Sequence, residues 1–314
     1  MIVFHLILGI VFLYFGAEFL IRGGAGLALR LGLPVLVIGL IIMGYGTGAP
    51  ELVVSTQASL SNKGDIALGN VIGSNIANTG LVLGFSSMLF PMPIHKRLLD
   101  TDTPFMILIA FGLFGIFVVS PIYTRLAGVM LLAGLIVYTV WSIDQGMKTH
   151  IPATQPSPHA MRHWTLEVGC VIAGLAILLL GGHLFLKGAV TMAKTFGLSD
   201  RVIGLTVVAI GTSLPELAAS LVAAFKKQGD MAIGNVVGSN IFNMLGIVGI
   251  AAVINPIHVQ NINWIDFSYM IALFIGLWLI IRQGTHVTRW EGALMFASYL
   301  AYMGYLVYFG INVS

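Results

Sequence analysis

Charge is what this chain has least of. Only 9% of its 314 residues are Asp, Glu, Lys or Arg, whereas 58% are hydrophobic; a water-soluble domain carries about 25% charged residues. That scarcity excludes a soluble globule. A single cysteine, Cys170, excludes an intramolecular disulfide framework, and its place in an apolar run predicts a packed thiol. There is no G-x-x-x-x-G-K-[ST] loop and no polar stretch long enough to hold one in a soluble domain, so ATP is not expected as an energy source. No nucleophile–base set or metal-hydrolase motif occurs either, so neither an enzyme nor a cofactor is expected. The eight histidines cluster near loops without metal-ligand spacing. The net charge of +3 belongs to loop lysines and arginines and points to no nucleic acid.

What is present in quantity is apolar chain. A membrane crossing needs about 20 mostly apolar residues, and ten candidates lie near 2–21, 33–60, 64–90, 104–120, 124–142, 164–186, 201–225, 230–254, 264–281 and 290–309. The first has no basic region before it and is long enough to span, so it reads as a retained helix and not a cleaved signal. With the N-terminus outside, ten of the 15 Lys and Arg residues fall in cytoplasmic loops, which favours both termini outside by the positive-inside rule. Trp141, Trp164, Trp264 and Trp290 fall near span ends, as in an aromatic belt.

Sliding the chain against itself by 165 positions aligns 46–84 with 211–249, with 19 of 39 pairs identical. "GTGAPELVVSTQASLSNKGDIALGNVIGSNIANTGLVLG" lies over "GTSLPELAASLVAAFKKQGDMAIGNVVGSNIFNMLGIVG". The matches concentrate in polar residues, glycine and proline, which apolar bias does not produce. The offset reaches back to Gly16/Gly181 and, shifted by one, forward to "RLAG" at 125 and "RWEG" at 289. Residues 1–142 and 164–314 are therefore expected to be five-helix repeats joined by a cytoplasmic linker, 143–163, whose three prolines mark a surface connection. An odd number of crossings per repeat inverts the second. The expected fold is an all-α membrane protein of ten transmembrane helices in two inverted repeats, with broken helices 2 and 7 meeting at the midplane.

Each break has its chemistry. In Gly-Thr-x-x-Pro-Glu the proline removes a helical hydrogen bond and glycine permits unwinding. Carbonyls around Gly44–Thr47 and Ala209–Thr212 are then left bare at membrane depth, tolerable only where buried in protein or lining a wet cavity. Glu51 and Glu216 add charge, and an intramembrane carboxylate is a functional-site hypothesis by default. A lone proline would read as a kink and a lone glutamate as a protonated packing residue; both recurring at one offset argues against either. Asn70, Ser74 and Asn78 form a polar stripe at four-residue spacing, repeated by Asn235, Ser239 and Asn243. Gly69/Gly73 and Gly234/Gly238 form small-xxx-small patterns expected to let helices approach closely. All these donors are hard oxygens, which suit Ca²⁺ or Na⁺ over Zn²⁺ or Cu²⁺. Asp65 and Asp230 are expected as helix N-caps, and Glu18, whose partner position is His183, as a packed or interfacial residue.

At "GTGAPE…GNVIGSNIAN" and "GTSLPE…GNVVGSNIFN" the chain resembles the sodium/calcium exchanger family of the cation/calcium antiporter superfamily, in its prokaryotic form. The resemblance implies electrogenic Na⁺/Ca²⁺ exchange by alternating access in a plasma membrane, the first and sixth spans sliding against an ion-holding core. Carried over, the central Ca²⁺ ligands fall on Thr47, Glu51, Thr212 and Glu216. The Na⁺ sites fall on the carbonyls of Gly44 and Ala209 and on Ser213, Ser74 and Ser239. The remaining pair falls on Asn78 and Asn243. Two departures bear on Na⁺ stoichiometry and counter-ion. Gly48 stands where the family often has a serine of the inward Na⁺ site, and Asn243 where some relatives have aspartate.

Charge argues for coupling independently of the resemblance. With both glutamates ionised the empty site carries about −2, and moving it unpaired through hydrocarbon costs on the order of several kcal/mol. One Ca²⁺ or at least two Na⁺ remove that cost, so loaded states switch sides and the empty one does not. Two protons would do equally well, which leaves H⁺/Ca²⁺ exchange, or exchange of another divalent ion such as Mn²⁺, as alternatives beside a passive cation channel. Lipid and the ions are the expected partners; the oligomeric state is not legible.

Overall fold

The structure is a computed structural model describing residues 2–148, 163–196, 209–260 and 262–312. Its helices are α1 (Ile2–Leu31), α2 (Val35–Thr47), α3 (Ala49–Leu60), α4 (Gly64–Leu89), α5 (Leu98–Val119), α6 (Arg125–Lys148), α7 (Trp164–Thr195), α8 (Ala209–Thr212), α9 (Leu214–Phe225), α10 (Gly229–Ile254), α11 (Trp264–Gln283) and α12 (Arg289–Asn312). Seven of these are long and apolar enough to cross a membrane alone, and α2 with α3 forms an eighth, bent crossing. With α8–α9 and α12 these match the ten expected crossings; residues 201–208 of the seventh, and residues 149–162 of the linker, lie outside the described residues.

The helices overrun several expected ends. α1 continues ten residues past position 21 because its arginines find partners: Arg22 lies 2.6 Å from Glu18, and Arg30 lies 2.7 Å from the buried Glu167 of α7. Glu18 also meets Lys226 at 2.6 Å, so it sits at an interface as expected. α6 likewise runs to Lys148, past the expected boundary at 142.

Two short ribbons show the pseudo-symmetry in the backbone. β1 (Met92–Pro93), β2 (Ile122–Tyr123), β3 (Ile257–His258) and β4 (His286–Val287) pair antiparallel as β1 with β4 and β2 with β3. Advancing β1 by 165 positions lands on β3, and advancing β2 by 164 lands on β4, so each ribbon is the other's image. Each joins a loop of the first repeat to a loop of the second on the same face, as ten alternating crossings require.

α1 and α7 pack through a glycine seam. Gly9, Gly16 and Gly23 recur every seven residues, as do Gly174, Gly181 and Gly188 at the 165 offset. A Cβ at Gly16 would lie 2.5 Å from the Leu178 nitrogen, and one at Gly174 would lie 2.5 Å from the Leu20 nitrogen. Such backbone contact is what small residues allow between membrane helices. The expected Gly234/Gly238 approach is present against Leu36 and Leu40 of α2. Gly69 and Gly73 meet no described atom, and the residues symmetry would set against them, 201–205, lie outside the described residues.

Asp65 and Asp230 do not cap their helices, contrary to expectation. Asp65 accepts a 2.8 Å hydrogen bond from the Gln260 backbone, and Asp230 pairs with His95 at 2.9 Å. Each clasps the loop that follows β3 or β1, because those loops fold over the helix starts. The hydrogen bond to Asp230 holds the His95 imidazole above its ordinary pKa of 6.5.

Two expectations follow. Gly238→Ala forces a Cβ into the Leu40 carbonyl and lowers stability by about 1–3 kcal/mol; Gly112→Ala, which meets no described atom, is near neutral in the same detergent melting assay. Because the folded pKa of His95 is raised, its contribution is complete below about pH 6.5 and is lost as pH rises through the raised value. The melting temperature therefore carries a component that falls across that window, and His95→Gln removes it.

Candidate cation-binding site

The breaks place the site. In α2 a wide, π-type turn at Gly39–Met43 hands over to a single ordinary turn, Gly44–Thr47, and the helix stops at Gly48 (φ −72°, ψ 6°). α3 then leaves at 45°. Its partner break, at Ser213 (φ −87°, ψ 9°), has the same backbone. Pro50 and Pro215 sit in the first turns of α3 and α9, where a missing N–H is tolerated; the Gly46 and Gly211 carbonyls lose the partners those N–H groups would have supplied. Further π-type turns begin at Ala77 and Asn243, at the end of each polar stripe. Such turns in helices are frequent at functional sites.

Each stripe presses on the break of its own repeat through one repeated tie. Asn70 Nδ2 donates to the Glu51 carbonyl (3.2 Å) and to Ser55 Oγ (2.9 Å); Asn235 Nδ2 donates to the Glu216 carbonyl (3.3 Å) and to Ser220 Oγ (2.9 Å). The first residue of each stripe is thus a brace, and the later ones face the glutamates. Ser74 Oγ donates to Glu51 Oε1 at 3.4 Å. On the other side Thr47 Oγ1 donates to the Met43 carbonyl (3.0 Å) and Asn235 Oδ1 (3.3 Å), and Ser239 Oγ donates to the Gly44 carbonyl at 3.1 Å.

The two repeats interlock at the centre. Thr212 lies beside Glu51 and Thr47 beside Glu216, each threonine serving the other repeat's glutamate, and the two carboxylates are close enough for their charges to interact. Both glutamates are 1% exposed. Glu51 Oε2, both Glu216 carboxylate oxygens, Ser213 Oγ, Asn78 Oδ1 and Asn243 Oδ1 have no hydrogen-bond partner among the described residues. Buried polar atoms are almost always satisfied, so a cluster of exceptions needs a cause. Apart from Asn78 Nδ2 and the Ser213 hydroxyl, which can donate, these are oxygens that can only accept when the glutamates are ionised, and a cation satisfies such a set. Of the remaining expected ligands, the Ala209 carbonyl opens α8, one turn before the Ser213 break.

Asn75 and Asn240 escaped the sequence reading. Both are fully buried, and Asn75 Oδ1 accepts from Asn243 Nδ2 at 3.1 Å while Asn240 Nδ2 donates to Thr79 at 3.0 Å. Each also points its amide at a methionine sulfur of the other repeat, Met270 at 3.7 Å and Met106 at 3.6 Å. The signal for them in the sequence is their identity at the 165 offset, one position beyond Ser74 and Ser239 of the stripes.

Broken helices from two inverted repeats, meeting over buried carboxylates and bare oxygens, define the class as a multi-pass ion transporter with an inverted-repeat core. The sequence model of the sodium/calcium exchanger protein family matches residues 1–143 and 166–308, and the chain belongs to that family. Among relatives, CaxA of Alkalimonas amylolytica, provisionally named an antiporter, is 35% identical, with 96% of this chain and 97% of that protein aligned. The sodium/calcium exchanger MaX1 of Methanosarcina acetivorans is 29% identical, covering 96% and 97% respectively. A solved structure of the sodium-calcium exchanger NCX_Mj, soaked with Na⁺ and without Ca²⁺, superposes with a TM-score of 0.84 at 31% identity, covering 97% of this chain and 99% of that one.

The ties make a symmetric prediction. Asn70→Ala and Asn235→Ala each strip a buried carbonyl and hydroxyl of their donor and lower stability by about 1–3 kcal/mol. Asn235→Ala is the more damaging in thermal unfolding, because it also removes one of the two acceptors of Thr47 Oγ1.

Proposed function

We propose that this chain is a secondary antiporter exchanging Na⁺ for Ca²⁺ by alternating access, with no ATP or resident cofactor in the cycle. The observation that carries the reading is the buried set of unpartnered oxygens around Glu51 and Glu216. Hard oxygen ligands suit both ions, and the names of MaX1 and NCX_Mj support this pair of substrates. Glu51 and Glu216 supply the charge, Thr47 and Thr212 bridge the repeats to them, and Ser74, Ser213, Ser239, Asn78, Asn243 and the Gly44 and Ala209 carbonyls complete the shell. Residues 1–142 and 164–314 are the two repeats, 143–163 joins them at the cytoplasmic face, and both termini face outward across a prokaryotic plasma membrane.

Neutralisation enforces the coupling. An empty site with two carboxylates is too costly to move across hydrocarbon, whereas a Ca²⁺-loaded or Na⁺-loaded site has its charge cancelled. The α1–α7 pair, joined through its glycine seam, is the element able to move as a unit beside this core.

Purified protein in liposomes is expected to take up ⁴⁵Ca²⁺ only when preloaded with Na⁺. Glu51→Gln and Glu216→Gln, which keep shape and remove charge, each reduce uptake to background. Uptake indifferent to Na⁺ that follows an imposed pH gradient would overturn the Na⁺ assignment; uptake with no counter-ion gradient would indicate a channel.

A further inference from the structure

Asn75 and Asn240 are buried polar side chains outside the proposed ion shell. They occupy the same place in the two repeats, and both are fully buried. Each directs its amide nitrogen at a methionine of the other repeat, Asn75 at Met270 Sδ (3.7 Å) and Asn240 at Met106 Sδ (3.6 Å). Burying an amide is unfavourable, and a thioether is a weak acceptor that offsets the cost only in part. Each amide therefore needs a further partner.

The further partners differ. Asn75 Oδ1 accepts from Asn243 Nδ2 at 3.1 Å. The corresponding bond, from Asn78 to Asn240, is not made: Asn78 Nδ2, Asn78 Oδ1 and Asn240 Oδ1 have no hydrogen-bond partner among the described residues, while Asn240 Nδ2 donates to Thr79 Oγ1 at 3.0 Å. Position 79 is matched by Met244, which has no hydroxyl to offer Asn75. The same pair of asparagines is tied in one place and open in the other.

An asparagine side chain ends in one oxygen and one nitrogen, and only the oxygen can face a cation. The turn of a ligand amide therefore decides whether it is a ligand at all. At Asn243 that turn is fixed from behind. The Met270 sulfur accepts from the Asn75 nitrogen, which leaves Asn75 Oδ1 for the Asn243 nitrogen, and this bond directs Asn243 Oδ1 the other way. That oxygen is buried without a partner and faces the break of the first repeat, 3.4 Å from where a Cβ on Gly48 would stand. A carboxylate at position 243 would need no such hold, because both of its oxygens accept.

We propose that Asn75 is a positioning residue of the ion site: its side-chain oxygen fixes the orientation of the Asn243 amide and so lets an asparagine serve as a cation ligand there. The inference rests on the assignment of Asn243 to the ion shell. Asn240, equally buried and in the same kind of sulfur contact, holds no ligand amide and is the internal control.

The test is equilibrium ⁴⁵Ca²⁺ binding to the purified full-length protein in Na⁺-free detergent solution, with melting temperatures recorded alongside. Asn75→Ala is expected to weaken binding about 10–100-fold, the range for losing a group that orients a metal ligand. Asn240→Ala is expected to lower the melting temperature and leave Ca²⁺ binding unchanged. An Asn243→Asp background separates orientation from packing: there Asn75→Ala has no further effect on binding, because a carboxylate presents an oxygen whichever way it turns. A loss of the same size in that background, or an equal loss in Asn240→Ala, would mean that Asn75 acts by packing alone and overturns the proposal, as does wild-type binding by Asn75→Ala. Asn75→Leu, which removes the acceptor without opening a cavity, repeats the comparison should the alanine variant not fold. Wild-type binding by Asn243→Ala would instead remove Asn243 from the ion shell, a failure of the site assignment distinct from an Asn75 without effect.

Discussion

Two carboxylates held in the middle of an apolar protein impose the constraint on which the rest of the structure depends. Glu51 and Glu216 are almost wholly buried, and three of their four carboxylate oxygens have no hydrogen-bond partner among the described residues, an arrangement that is strongly unfavourable for ionised groups without a positive partner. The breaks at Gly48 and Ser213 leave the Gly46 and Gly211 carbonyls without the donors that Pro50 and Pro215 lack, and a threonine of each repeat lies beside the other repeat's glutamate. A site that is stable only when its charge is cancelled resists crossing the membrane empty, so the cost of burial is also the source of coupling.

The scaffold around that point is rigid where it must be. The Asn70 and Asn235 braces fasten each break to the following helix with the same geometry, and the paired ribbons tie a loop of one repeat to a loop of the other on each face. The α1–α7 pair is different in kind. Its glycine seam gives close contact between the two helices, and two ion pairs, Arg30 in the last turn of α1 with Glu167 and Glu18 midway along it with Lys226, fix it to α7 and to the end of α9.

Much of this was legible in the chain. The ten crossings follow from apolar length, the inversion from an odd count per repeat, and the breaks from Gly and Pro beside Glu at one offset. In the fold Ser74 donates to Glu51 and Thr47 and Thr212 lie beside the other repeat's glutamate, while Asn70 and Asn235 at the start of the stripes are braces. Partner choice was harder to read. Asp65 and Asp230 looked like helix caps because they follow a glycine at a helix start, yet they bind loops 195 and 135 residues away in sequence. Asn75 and Asn240 were hidden because their registers fall one residue off the stripe, and only the facing helix shows that both are buried.

By itself the sequence determined what kinds of atoms the site would contain and that it would contain them twice, because proline, glycine and charge act locally and repetition is visible without coordinates. Only the tertiary structure decided which of those atoms are free. Ser239 and Ser74 occupy identical places in the repeat, but one is bonded to the Gly44 carbonyl and the other turns to Glu51. Gly48 reads as a missing hydroxyl in the sequence, and in the fold a Cβ there would stand 3.1 Å from Phe242 Cδ1. The physical reason is that hydrogen-bond satisfaction is settled between helices brought together from distant parts of the chain, and two nearly identical repeats divide their polar atoms differently once their neighbours differ.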